Sequence, residues 1–436
     1  MRTNTRPINT LRTHQGAPAI PQHGMAALRR AVSSCLLWED EFHEDGVSIA
    51  KRIQDLASVV PVQDVAALAV ELRTQGNLRH VALWLVLSVI ERRLGASFDT
   101  ASLIHEVCRR ADEPGELLAM YWKDGRRPMP AAMKRGLGQA MTRFDAYQIG
   151  KYNRDATVSV KDVVRLGHPK ASTDDQSAVF KRLLDGSLES PDTWEVGLSS
   201  GQDKKAVFER LLREGGLGYL ALLRNLRKMD EVGVDADLIQ DTIVARKGAR
   251  TVLPFRYVAA ARAAPRFEPF LDKALCAAVD EMPMLEGETI ILVDVSNSMN
   301  KPLSNKSDLT RMDAAATLAS IIHGRNRVFS FSTEVKEVAA RRGMAGVDAI
   351  RGSQKHLNTY LGGAVAHVNR LPHDRLICIT DEQSHDVVGL AKAKLAYMIN
   401  VASTDRAVGH GTWTRISGFS ENVLAWIHAV EGLETE

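Results

Sequence analysis

The chain has 436 residues, 45% of them hydrophobic and 25% charged, with a formal net charge of only +3. That length exceeds one ordinary core and predicts two or three domains of roughly 100 to 200 residues each, in a composition typical of soluble globular proteins. No apolar run approaches the roughly 18 residues that crossing a membrane requires, and so small a net charge names no partner by itself.

In chain order, the first segment, MRTNTRPINTLRTHQGAPAIPQHG, carries basic residues but no apolar core of the secretory kind. Residues 1–23 are therefore expected to be an irregular arm, and the protein cytoplasmic. Cys35, Cys108, Cys276 and Cys378 lie far apart and form no C-x-x-C pair. Neither a disulfide framework nor a zinc site is indicated, and reduced structural thiols are expected.

Across residues 24–284, apolar positions recur at helical spacing between joints rich in Gly, Pro or Asp. The predicted helices include MAALRRAVSSCLLWED, VQDVAALAVELRTQG, LRHVALWLVLSVIERRLG, PAAMKRGLGQAMTRFDAYQIGKY, KKAVFERLLREGG and LGYLALLRNLRKMDEVG. Short joints between consecutive helices imply antiparallel neighbours, which stack most simply as an α-solenoid of HEAT type. Between Arg109 and Arg182 there are 15 Lys or Arg against 9 Asp or Glu, whereas from Glu286 onward there are 16 against 17. A polyanion should prefer the first of these stretches, although a solvated helical surface would show the same surplus.

Residues 285–436 read differently. The short runs TIILVDV, RVFSFS, RLICIT and AYMINVA alternate with the helical stretches RMDAAATLASIIHG, LGGAVAHVNRL and ENVLAWIHAVEG. Apolar strands alternating with helices predict a doubly wound, mostly parallel α/β domain, in which ligands sit beyond the carboxyl ends of the strands. There, Asp294, Ser296 and Ser298 follow TIILV at alternate positions, Thr359 precedes LGGAV, and Asp381 ends LICIT. Two carboxylates and three hydroxyls suit a hard divalent cation, Mg²⁺ above all, and not zinc. Helix capping by Asp294, Ser296 or Thr359, with Asp381 as a solvated turn residue, is the competing reading. No phosphate-binding loop, nucleophile elbow or H-E-x-x-H helix is present, and His385 reads as incidental.

The order D-x-S-x-S, then Thr, then Asp resembles the metal-ion-dependent adhesion site of von Willebrand factor A domains. That resemblance implies direct coordination by Ser296 and Ser298, with Asp294, Thr359 and Asp381 bound directly or through water, and an open position for an acidic group of a protein ligand. A helical solenoid followed by such a domain is similar to the TROVE family, the Ro ribonucleoprotein autoantigens and their bacterial relatives. The resemblance rests on FDAYQIGKYNRDATVSVKDVVRLGHPK (144–170), LGYLALLRNLRKM (217–229), LPFRYVAAAR (253–262) and ILVDVSNSMNKPLS (291–304).

The family implies a ring of helical repeats joined by the A domain, binding of small noncoding Y RNAs on a basic outer surface, and capture of single-stranded 3′ ends of misfolded RNAs in a central hole. An exoribonuclease tethered through the RNA is a further implied partner, and no membrane is involved. By the same resemblance Lys151 and His168 meet RNA; a solvated helix end and a helix cap are the plainer readings of the two. Lys134, Arg135, Arg154, Lys161, Arg165 and Lys170 are basic neighbours, as are Arg126 and Arg127. Trp122, Phe144, Tyr147 and Tyr152 are stacking candidates that also read as core. The chain departs from the family pattern at Asp155, where a basic residue is usual, and at Asn297, where glycine is usual. Two rivals to the RNA reading stand beside it, a metal-dependent protein-binding module and, less favoured, a metal-dependent hydrolase.

Overall fold

The computed structural model describes residues 12–13, 15–18, 20–21, 23–33, 46–76, 78–189, 191, 203–252, 254–282, 284–302, 309–402, 406–417, 423, 427 and 431. They fall into two compact units, one of residues 50–207 and one combining residues 1–49 with 208–436. No helix among the described residues is long and apolar enough to cross a membrane.

The 50–207 unit is helical. Its helices are α2 (Gly46–Val59, begun just before the unit boundary), α3 (Val62–Thr74), α4 (His80–Glu91), α5 (Thr100–Val107), α6 (Glu113–Tyr121), α7 (Ala131–Met141), α8 (Ala146–Tyr152), α9 (Val160–Gly167) and α10 (Asp174–Asp185). The stretch 130–152, predicted as one helix, is two. Asp145 leaves the helical conformation and caps α8, its carboxylate accepting from Gln148 N while the Gln148 side chain accepts from Asp145 N, which is the reciprocal pairing of a capping box.

Glycines let these helices approach one another at backbone distance. A Cβ on Gly138 of α7 would stand 2.5 Å from Gly167 O of α9, and one on Gly167 would stand 2.8 Å from Gly138 N. Alanine at 138 would gain about 0.8–1.0 kcal/mol of helix propensity, but its methyl would meet backbone that no rotamer change can move. Gly138→Ala is therefore expected to lower stability by about 1–3 kcal/mol through overpacking. Urea unfolding checks this; a neutral or stabilised variant would show that α7 and α9 are not so close.

The second unit contains α1 (Gly24–Ser33), α11 (Lys204–Glu214, crossing the boundary), α12 (Tyr219–Glu231), α13 (Ala236–Ala245), α14 (Pro254–Ala263) and α15 (Glu268–Asp280), followed by a sheet region. Its strands are β1 (Ile20–Pro21), β2 (Leu285–Asp294), β3 (Gly324–Phe331), β4 (Val335–Val338), β5 (Arg375–Thr380), β6 (Leu395–Asn400), β7 (Arg406–Ala407) and β8 (Thr414–Ser417). Six of them form one sheet in the order β4-β3-β2-β5-β6-β8. All its pairings are parallel except the β3–β4 edge, as expected for a doubly wound sheet. The intervening helices are α16 (Arg311–Ile321), α17 (Gly343–Arg351) and α18 (Leu361–Val368). Every residue of α16 is buried, which its alanine-rich sequence permits by keeping the close-packed helix slim.

The four strands read from the sequence are present. The edge strands β4 and β8 and the helix α17 are additions that the sequence pattern does not announce. Most of ENVLAWIHAVEG lies outside the described residues, as do residues 1–11 of the N-terminal arm and Cys35. Cys108 and Cys378 are buried free thiols, and Cys276 is a half-buried one.

The strand order reverses around β2, with β3 on one side and β5 on the other. The crevice beyond the carboxyl ends of β2 and β5 is therefore the switch point where such sheets place ligands. Asp294 and Asp381 stand there.

Candidate functional site

Asp294 ends β2 and Asp381 follows β5, and the parallel register pairs Val293 with Ile379 just before them. Thr380 Oγ1 donates to Asp294 Oδ2 at 2.6 Å, and Ser296 N donates to Asp294 Oδ1 at 2.9 Å. The Ser296 and Ser298 hydroxyls are 3.3 Å apart. Thr359 lies on a third loop, tied to the other two by backbone bonds from Asn297 N to Leu357 O and from His385 N to Thr359 O. Asp386 then fastens its own loop to the start of α18, accepting from Gly362 N at 2.8 Å and Gly363 N at 2.7 Å. All five residues singled out in the sequence are buried, none more than 5% exposed.

Burial, and then the negative charge of Asp381, push the Asp294 carboxyl up to about 7. Gln383 N donates to Asp381 Oδ1, but Asp381 Oδ2 has no hydrogen-bond partner among the described residues. Among the described residues, the opposite charge that approaches it is Arg311 Nη1 at 3.9 Å, beyond hydrogen-bond reach. Two facing carboxylates, one with an orphaned buried oxygen, and a pair of hydroxyls make an oxygen donor set that a hard divalent cation fits. No cluster of three or more His, Cys, Asp or Glu occurs among the described residues.

Several participants escape a reading of the sequence alone. Thr380 and Arg311 carry no motif, and His385 is not incidental: its Nδ1 lies 3.2 Å from Thr359 N and its ring faces Tyr360 at 5.5 Å.

The basic candidates lie in the 50–207 unit. Val160, Val163, Val164 and Gly167 bury one face of α9, which leaves Lys161 half-buried and Arg165 exposed on the other. His168 caps α9 at φ 46°, in the left-handed region, a conformation costing a non-glycine residue of order 1 kcal/mol. Its ring is exposed, as are Lys134, Arg135, Arg154 and Lys170, while Lys151 is half-buried.

Beneath them, buried Glu113 accepts from Arg73 Nη2, Arg109 N and Arg110 N. That anchor holds Arg110, which bonds Asp112 at 2.6 Å and covers the Tyr152 ring at 4.6 Å. Arg154 also approaches Asp112, at 3.9 Å. Of the four aromatic candidates, Phe144 is core and Trp122 and Tyr152 are half-buried beneath arginines; Tyr147 presents a ring that is 53% exposed. Arg127 is engaged by Glu91 and by the Tyr121 ring.

A family model for the TROVE domain matches residues 25–187 and 186–251, just over half of the chain. Among solved structures, the crystal structure of the Deinococcus radiodurans RO (RSR) protein aligns with a TM-score of 0.60 and 16% identity, over 90% of this chain and 97% of that one. At that identity the likeness is one of fold alone.

Proposed function

The chain belongs to the TROVE-domain family, and from that membership we propose that it is a noncatalytic RNA-binding protein of the Ro type, forming a ribonucleoprotein with small, Y-like noncoding RNA and taking up single-stranded 3′ ends of misfolded RNA. The observation that carries the reading is that the family match spans the stretch from Arg109 to Arg182 where the positive charge is concentrated. Lys151, Arg154, Lys161, Arg165, His168 and Lys170, with Lys134 and Arg135, neutralise phosphates there, and Tyr147 offers a face on which an unpaired base stacks. The role is RNA processing or quality control in the cytoplasm, with an exoribonuclease recruited through the RNA.

The site at the strand ends holds a divalent cation, Mg²⁺ by its donor chemistry, through Asp294, Ser296, Ser298, Thr359 and Asp381. Once bound, the cation supplies a coordination position that an acidic side chain of a protein ligand can fill. The protein's own residues set the cradle: Thr380 orients Asp294, and His385 holds the Thr359 loop. A second reading, with the A-type domain as a protein-binding module, draws support from exposed Leu357, Tyr360, Val387 and Leu390 on the loops bordering the site.

Mobility shifts with a hairpin RNA bearing a single-stranded 3′ tail test the first reading. The tailed hairpin is expected to bind more tightly than a blunt one. Restoring a basic side chain by Asp155→Lys should tighten binding roughly five- to tenfold, the worth of about 1–1.4 kcal/mol. Failure to bind either RNA, with no response to Asp155→Lys, would turn attention to the second reading.

A further inference from the structure

Glu382, next to Asp381, is wholly buried and sits at φ 58°, a left-handed backbone conformation that a glutamate adopts only when its surroundings hold it there. Its side chain is gripped on both oxygens. Oε1 accepts from Arg30 Nη1 at 2.6 Å and Asn400 Nδ2 at 3.3 Å, while Oε2 accepts from Val408 N at 2.8 Å and Gly409 N at 3.4 Å. Its own N–H donates to Thr380 Oγ1, whose hydroxyl donates in turn to Asp294 Oδ2. A continuous chain of bonds thus runs from Arg30 on α1 through Glu382 and Thr380 to the first site carboxylate, and it brackets the second.

Arg30 is not alone in reaching this loop from the N-terminal segment. Its Nη2 donates to Arg406 O, Thr13 Oγ1 and Ala17 N both donate to Ser384 O, and β1 pairs with β7 through Ile20 with Ala407 and Pro21 with Arg406. A carboxylate taken wholly out of water is stable only while its partners stay in place. Loss of Arg30 would remove the charged partner of this buried carboxylate, leaving neutral donors alone on it, and so weaken the hold on the backbone at 382 and on the orientation of Asp381 beside it.

We propose that Glu382, held by Arg30, is a positioning residue for Asp381, so that docking of the segment 12–33 and binding of a divalent cation reinforce each other. This rests on the cation reading of the site. Binding coupled in this way is reciprocal: if docking raises cation affinity, the cation strengthens docking by the same factor.

The test uses the full chain with Mg²⁺ alone. Hydrogen exchange on the wild type is expected to slow with Mg²⁺ both in the site loops, 294–300 and 381–386, and in the segment 12–33. Titration calorimetry on Arg30→Met is expected to show at least fivefold weaker Mg²⁺ binding, with Arg30→Lys recovering part of the loss; a merely structural arginine would alter stability and leave the affinity of the folded molecule unchanged. Slowed exchange in the site loops with none in 12–33, or wild-type affinity in Arg30→Met, overturns the coupling while leaving the cation site standing. Absence of any Mg²⁺ effect in the wild-type site loops overturns the cation reading and this inference with it. The exchange arm needs no variant, so a misfolded Arg30→Met does not rescue the proposal.

Discussion

Asp294→Asn is expected to abolish Mg²⁺ binding and, at neutral pH, to raise the stability of the cation-free protein. The two effects have one cause. Asp294 is wholly buried beside Asp381, and its carboxyl is pushed up to about 7, so ionising it in the folded state is costly. An unfolded chain releases that proton near the ordinary carboxylate range while the folded chain retains it until about pH 7. The cation-free wild type therefore loses stability as pH rises through that window. Asparagine cannot ionise, and the Thr380 hydroxyl can turn to accept from its amide, so the variant's advantage should grow across the same window and level off above it.

Saturating Mg²⁺ acts in the opposite sense and on the wild type alone. A ligand at 100 times its Kd adds about 2.7 kcal/mol to the wild type, roughly 5–10 °C in Tm for a domain of this size, and nothing to the variant. Thermal melts with and without Mg²⁺ read both effects. Equal Mg²⁺ shifts in the two proteins would remove Asp294 from the site.

The second large effect concerns RNA. Removing four charges together, in Lys151→Ala/Arg154→Ala/Arg165→Ala/Lys170→Ala, is expected to weaken binding of a tailed hairpin by about 100-fold or more at low salt, since a hydrogen bond to a charged group contributes about 1.5–3 kcal/mol. The slope of log K against log salt should fall by about 3, at roughly 0.7–0.9 for each phosphate no longer neutralised. All four side chains lie at least partly in solvent, and surface substitutions of this kind usually change stability by no more than about 0.5 kcal/mol each. A loss of affinity with an unchanged salt slope would mean that these residues shape the surface and do not meet phosphates.

Much of the fold, and the placement of the candidate site's side chains at the strand ends, is legible in the chain because the physics is local. A strand buried on both faces reads as TIILV, and alternate oxygen-bearing residues at its carboxyl end mark out Asp294, Ser296 and Ser298 by their spacing alone. The break inside 130–152 is hidden because apolar spacing continues across it, while the cap that begins the second helix is carried by Asp145 and Gln148. The edge strands β4 and β8 are hidden because VKEV and TRIS are only four residues long, and the buried Val338 of β4 is a single core position, too few to show an alternation.

What holds the site in place is illegible for a different reason. Arg30 and Glu382 are 352 positions apart, and no spacing rule joins them; the left-handed backbone at Glu382 and at His168 likewise falls on residues that do not advertise it. Burial of Asp294 and Asp381 is a property of the folded sheet, so the raised carboxyl pKa cannot be inferred from the motif that contains it.

The central claim, that this is an RNA-binding protein acting through the basic face of its 50–207 unit, is tested most directly by measuring the affinity of the purified wild type for a hairpin RNA with a single-stranded 3′ tail across a salt series, beside Lys151→Ala/His168→Ala. The account predicts tight binding that weakens steeply with salt and is largely lost in the double variant. Binding no stronger than to an unrelated polyanion, and unchanged in the variant, would contradict it.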